Sequence, residues 1–155
     1  MARKFLDDLG VDYLAKDDSF GDEREAEWAA EREIFGFDMR DTWSLDVVML
    51  QLLFERVSAY LQVAPEMIEV DYELFEFEGV KYTQREAIEK LLADLRIVLT
   101  GFFAGSSDPN VPTVANTMEE LSIIVEAERS HEELIETLAS KIWRFWAVLA
   151  PSMWW

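Results

Sequence analysis

Thr42-Trp43-Ser44-Leu45-Asp46-Val47-Val48-Met49-Leu50-Gln51-Leu52-Leu53-Phe54-Glu55-Arg56-Val57-Ser58-Ala59-Tyr60-Leu61-Gln62-Val63 decides the fold. Its polar residues Ser44, Gln51, Glu55, Ser58 and Gln62 recur at steps of three, four or seven and make one narrow stripe. Almost everything else is apolar. Asp41 or Thr42 can cap the start, and Asp46 places a negative charge in the first turn, where the helix dipole favours it. Pro65 ends the run. A helix apolar nearly all round is one that a fold buries. The stretch therefore predicts a central helix around which other elements pack.

Working outward, Leu74-Phe75-Glu76-Phe77-Glu78-Gly79-Val80-Lys81-Tyr82 alternates apolar and polar residues about Glu78-Gly79. That pattern predicts a small β-hairpin packed through Phe75, Phe77, Val80 and Tyr82. A lone hairpin is marginal, so it must lie on helices. Thr83-Gln84-Arg85-Glu86 is a capping box. The helix it opens runs to about Gly101, with Ile88, Leu91, Leu92, Leu95, Val98, Leu99 and Phe102 on one face and a Glu86/Lys90 pair on its surface. Gly105 to Asn116 is a loop and the expected flexible segment.

Thr117-Met118-Glu119-Glu120 is a second capping box, and Ser130-His131-Glu132-Glu133 a third. The last helical stretch, reaching Leu149 before Pro151, is thus one helix or two meeting near Ser130. On the other side of the central helix, Asp22 to Phe35 reads as a mostly solvated helix with a thin seam of Ala26, Trp28, Ala29, Ala30 and Ile34. Residues Met1 to Gly21 read as a loosely ordered acidic arm with a short helix at Lys4 to Leu9. The expected fold is mainly α: a four- to five-helix bundle around a central buried helix, with one small β-hairpin, forming a single domain over residues 22–155.

The chain has 32 Asp and Glu against 14 Lys and Arg in 155 residues, a net charge of −18, yet half of it is apolar. A disordered acidic tail would lack the 6 Trp and 10 Phe found here. The expectation is a folded domain with a negative coat. Such a coat keeps an apolar chain dispersed. It also repels nucleic acid and anionic membranes and attracts basic surfaces, including nucleic-acid-binding clefts of other proteins. There is no cysteine, so disulfides and thiolate chemistry are excluded. Met1 to Gly10, with Lys4, Asp7 and Asp8, has no uninterrupted apolar region of a signal peptide. No apolar run reaches the ~18 residues that span a bilayer. These features lead us to expect a cytoplasmic protein.

Little in the chain points to catalysis. The sole histidine, His131, follows Glu128 as Glu-x-x-His. Di-metal carboxylate bundles need two such pairs, and a second cannot exist here. If the last helix is continuous, heptad counting from Leu121 and Ile124 turns Glu128 and His131 inward as a polar pair, with a capping or structural role ahead of an interface or metal role. Glu66-x-x-Glu69, Glu86-x-x-Glu89 and Glu133-x-x-Glu136 resemble pieces of the metal-binding pattern of all-α nucleotide pyrophosphohydrolases, but the partner Glu-x-x-Asp on the following helix is missing. There is no phosphate-binding loop, dinucleotide fingerprint or nucleophile elbow. No catalytic residue, metal site or cofactor is expected.

Glu66, Glu69, Asp71, Glu73, Glu76 and Glu78 form a segment with no base among them. On a hairpin edge such charge discourages strand addition. Held on a rigid surface, the same carboxylates can imitate nucleic-acid phosphates and take a partner's Lys and Arg. The acidic helix at Glu23 to Glu33 could extend that face. Trp143, Trp146, Trp154 and Trp155 read as core, or as anchors if the last two are exposed.

Gly36-Phe37-Asp38-Met39-Arg40-Asp41-Thr42-Trp43-Ser44-Leu45-Asp46 and Phe75-Glu76-Phe77-Glu78-Gly79-Val80-Lys81-Tyr82-Thr83-Gln84 resemble small accessory proteins of bacteriophages and prophages that share a GFDxRxTWSLD helix start and an FxxxGKxYTQ hairpin-to-helix start. The resemblance covers roughly Gly36 to Leu95. It implies a phage origin and transfers no catalytic residues. Together with the charge, it leads us to expect a non-enzymatic protein that inhibits a basic, nucleic-acid-binding host or defence protein through its acidic face. The alternatives are a homo-oligomeric virion or assembly component and, more remotely, a metal-dependent nucleotide hydrolase.

Overall fold

The computed structural model describes residues 4–11, 22–42, 45–63, 75–104 and 108–153. It is mainly helical, with five helices and one small antiparallel hairpin among the described residues, as expected. In order these are α1 (Lys4–Leu9), α2 (Asp22–Phe35), α3 (Leu45–Val63), β1 (Phe75–Phe77), β2 (Val80–Tyr82), α4 (Gln84–Ala104) and α5 (Met118–Leu149). Short 3-10 turns cover Met39–Thr42 and Ala150–Ser152. The chain divides into two compact units, Met1–Tyr60 and Leu61–Trp155.

In the first unit α3 is buried around most of its circumference through Val47, Val48, Leu50, Leu53, Phe54 and Val57. The middle of its polar stripe turns inward: Gln51, Glu55 and Ser58 are buried, while Gln62, Leu45, Met49 and Val63 are exposed. Burying polar groups costs free energy unless each finds a partner. Among the described residues no buried side-chain nitrogen or oxygen lacks one. Glu55 Oε1 accepts the Leu6 backbone N–H at 2.8 Å. That N–H belongs to the first turn of α1, whose donors have no partner within the helix, so α3 caps α1 from a distance. Leu6 is fully buried, and Val11 nearly so.

The expected cap at Asp41 or Thr42 adjoins residues 43 and 44, which lie outside the described residues; Thr42 itself sits in a 3-10 turn. Its hydroxyl closes that turn by donating to the Met39 carbonyl at 2.6 Å. The seam expected on α2 narrows to a single anchor. Trp28 is buried, whereas Ala26, Ala29, Ala30 and Ile34 are exposed. A second fixture lies just beyond α2, where Arg32 Nη1 meets the buried Asp38 carboxylate at 2.5 Å. This bond holds the bend around Gly36, whose φ of 78° suits glycine.

In the second unit, α4 buries Ala87, Ile88, Leu91, Leu92, Leu95, Val98 and Leu99, the expected face, with Phe102 left more exposed at its far end. The Thr83/Glu86 capping box forms in both directions, at 3.2 and 2.9 Å. The Thr117/Glu120 box does the same for α5. The Ser130 box goes unused, and α5 is one 32-residue helix. The reason is periodicity: Ile124, His131, Ile135, Leu138, Ile142, Phe145 and Leu149 continue one inward line through Ser130, so unwinding there would break it. α5 packs along α4. Gln84 Nε2 donates to the Ser152 carbonyl at 3.1 Å, which ties the turn after α5 to the start of α4.

The hairpin pairs Phe75 with Tyr82, Glu76 with Lys81 and Phe77 with Val80. Glu78 and Gly79 both have positive φ, 50° and 78°. Those signs define the tight turn whose twist matches paired strands. The Phe77 and Tyr82 rings lie 4.9 and 5.5 Å from the Phe145 ring of α5. Val80, expected to pack, is half-exposed because it sits at the turn end of the hairpin. Trp143 and Trp146 are half-buried; Trp154 and Trp155 lie outside the described residues.

Candidate acidic interaction surface

Of the acidic segment singled out in the sequence, Glu66, Glu69, Asp71 and Glu73 lie outside the described residues. Glu76 is exposed on β1 and stands opposite Lys81 in the register. Glu78, at the turn, has its carboxylate 3.6 Å from Lys141 Nζ and 3.7 Å from Arg144 Nη2 of α5. All three groups are roughly half-exposed, so the pairing is screened and adds little stability. It does matter for the surface field, because these two acids stand beside the protein's own cations.

A different row of carboxylates emerges on α5. Between Met118 and Ser140 the one Lys or Arg is Arg129, and it pairs with Glu133 at 3.2 Å. Glu119, Glu126, Glu132 and Glu136 are exposed and form no ion pair among the described residues. Glu128, Glu132 and Glu136 follow at four-residue steps, which rises about 6 Å per step along one side of a helix. Some of the other cations are likewise committed: Arg85 to Glu89, Lys90 to Asp94, and Arg32 to Asp38 and Glu25. Of the Glu-x-x-Glu pairs, Glu86 serves a capping box and Glu89 pairs with Arg85, Glu133 pairs with Arg129 while Glu136 forms no ion pair among the described residues, and Glu66 and Glu69 lie outside those residues. No group of three or more His, Asp or Glu among the described residues is arranged to hold a metal ion.

His131 does not pair inward with Glu128, which is exposed; Leu121 also turns outward, and the inner line runs through Ile124 and His131. Instead His131 Nε2 lies 2.9 Å from the Gly101 carbonyl oxygen. A carbonyl only accepts, so Nε2 carries the proton in this contact. Gly101 is in the last turn of α4, where carbonyls lack partners within the helix, so His131 caps α4 from the side. Two concavities flank this contact. One, of about 370 Å³, is lined by Gly101, Phe102, Glu128, Glu132 and Ile135 among others. The other, of about 790 Å³, lies between the 108–111 turn and the flank of α5 from Ser122 to Leu134. That turn is built by Asp108, whose carboxylate accepts the Asn110 backbone N–H at 2.8 Å.

Gly101 sets how closely the helices approach. A Cβ added there would fall 2.3 Å from Ile135 Cδ1 and 3.2 Å from its Cγ1. Ile135 is buried and β-branched, with little rotamer freedom. Overpacking costs typically about 1–3 kcal/mol, against about 1 kcal/mol gained by replacing a helical glycine with alanine. Gly101→Ala is expected to lower stability by ~1 kcal/mol net in urea denaturation. A rise in midpoint would mean that Ile135 swings aside freely.

Comparison with family models, with curated proteins and with solved structures found no match for this chain. No helix among the described residues is long and apolar enough to cross a membrane.

Proposed function

We propose that this chain is a phage-encoded acidic binding protein that inhibits a basic, nucleic-acid-binding host or defence protein in the host cytoplasm, without catalysis or cofactor. The observation that supports this reading most directly is the placement of charge. The cations in the ion pairs named above are spent on the protein's own carboxylates, while Glu119, Glu126, Glu132 and Glu136 of α5 are exposed and have no cationic partner among the described residues. A net charge of −18 then gives an outward field that a basic cleft would recognise. Glu66, Glu69, Asp71 and Glu73 of the acidic segment add to it.

The test is capture of host proteins on the immobilised chain at low and high salt, followed by displacement of the captured protein with DNA. A basic protein released by salt and by DNA is expected, since screening shortens to about 10 Å at 0.1 M salt. Reversing Glu69, Asp71, Glu73 and Glu76 to Lys, or Glu126, Glu132 and Glu136 to Lys, should abolish capture while leaving the circular dichroism unchanged. Capture that survives both reversals sinks the acidic-face reading.

One observation favours a homo-oligomeric assembly component instead. Ile34, Phe35, Phe37 and Met39 are all exposed at the end of α2, with the Phe35 and Phe37 rings 6.0 Å apart. Contiguous exposed apolar residues mark interaction surfaces. Light scattering that finds a large oligomer stable in high salt would favour this reading.

A further inference from the structure

The larger concavity beside α5 differs from a purely acidic patch. Its apolar floor, Val111 from the turn and Ile123, Ala127 and Leu134 from the helix, is shared with Ser122, Ser130 and His131. Ile123 and Leu134 are 45% and 64% exposed, a poor position for two large aliphatic side chains in water. Its rim carries Asp108 and Glu126, and no Lys or Arg among the described residues lines it. From Ile123 to Leu134 the groove follows three turns of α5, about 16 Å.

The geometry points to this groove as a docking site for a basic amphipathic helix of a partner protein. An apolar stripe at helical spacing enters the floor, as in other helix-in-groove contacts, and its flanking Lys or Arg meet Asp108 and Glu126. Charge complementarity selects this occupant. A second copy would bring an acidic rim against an acidic rim on chains of charge −18, and like-charge juxtaposition disfavours wrong partners. An anionic lipid surface is repelled for the same reason. The inference rests on the proposed function only in taking the partner to be basic; it adds that leucine-type anchors, not charge alone, provide the specificity.

The probe is a fluorescently labelled Leu/Lys peptide of about fourteen residues, roughly four helical turns, with leucines at helical spacing. Its comparator has every leucine replaced by serine. Binding to the full chain is read by anisotropy. The Leu/Lys peptide is expected to bind, and the comparator to bind about tenfold more weakly or worse. The double variant Ile123→Ser/Leu134→Ser should weaken the Leu/Lys peptide by a similar factor. Leu121→Ser, on the other flank of α5, should leave it unchanged. Circular dichroism of each variant checks the fold, which these exposed positions should not disturb.

Equal binding of both peptides, unmoved by the double variant, overturns the groove while leaving the acidic-face function standing. Binding of neither peptide at low salt overturns both. A protein that self-associates, and becomes monomeric in the double variant with peptide binding unaltered, shows that the groove seats a second copy, which also overturns the proposal.

Discussion

Phe145→Ala is expected to cost about 3–5 kcal/mol of stability, the range for removing a buried phenylalanine from a packed interior. Phe145 is 1% exposed, and its ring touches both strands of the hairpin through Phe77 and Tyr82. Aromatic pairs are worth about 0.5–1.5 kcal/mol beyond the area they bury. The damage should therefore concentrate on the hairpin, since two strands in water are marginal without a surface to lie on. Urea denaturation gives the total, and amide exchange at residues 75–82 locates it. Exchange protection that persists in the hairpin while global stability falls would show that something other than this ring holds the strands.

Trp28→Ala should be comparably severe in the first unit, again about 3–5 kcal/mol. Folded domains are stable by only about 5–15 kcal/mol, so a loss of that size approaches unfolding. The argument rests on how little else α2 buries. Its described alanines and Ile34 face outward, so the indole is the principal apolar contribution of the helix to an interior. Trp28→Phe retains an aromatic ring and should recover much of the loss. Amide exchange across residues 22–35, with far-ultraviolet circular dichroism, reads the result. Wild-type protection in Trp28→Ala would mean that α2 is held by its ends, where Arg32 grips Asp38.

Much of the architecture was legible in the sequence because its signals are local. Thr83/Glu86 and Thr117/Glu120 mark helix starts by chemistry confined to four residues, and both boxes form. The face of α4 follows from spacing alone. What spacing leaves undecided is which side of a nearly all-apolar helix faces outward. In α3 Gln51, Glu55 and Ser58 of the polar stripe went inside and Leu45, Met49 and Val63 outside, with Glu55 meeting a backbone donor 49 residues away. The α2 seam shrank for a related reason. Alanine has little area to bury, so Trp28 alone commits the helix.

The candidate surface was only partly readable. That Glu78 faces Lys141 and Arg144 depends on the hairpin lying on α5, which no local pattern announces. Glu128, Glu132 and Glu136 were visible as spacing, but among so many glutamates nothing distinguished them until the helix proved unbroken through Ser130. The close approach at Gly101 likewise depends on where two helices cross, although a glycine late in an otherwise regular helix was an available sign.

The continuity of α5 also bears on the entropy of association. A break at Ser130 would have created a joint, and any partner gripping both sides would have had to freeze it. Ordering one backbone residue costs roughly 1–2 kcal/mol, taken directly from affinity. With a single helix from Met118 to Leu149, the carboxylates and the aliphatic floor keep a fixed pitch before anything arrives. That penalty is already met during folding, and a ligand of matching pitch finds its docking points prearranged.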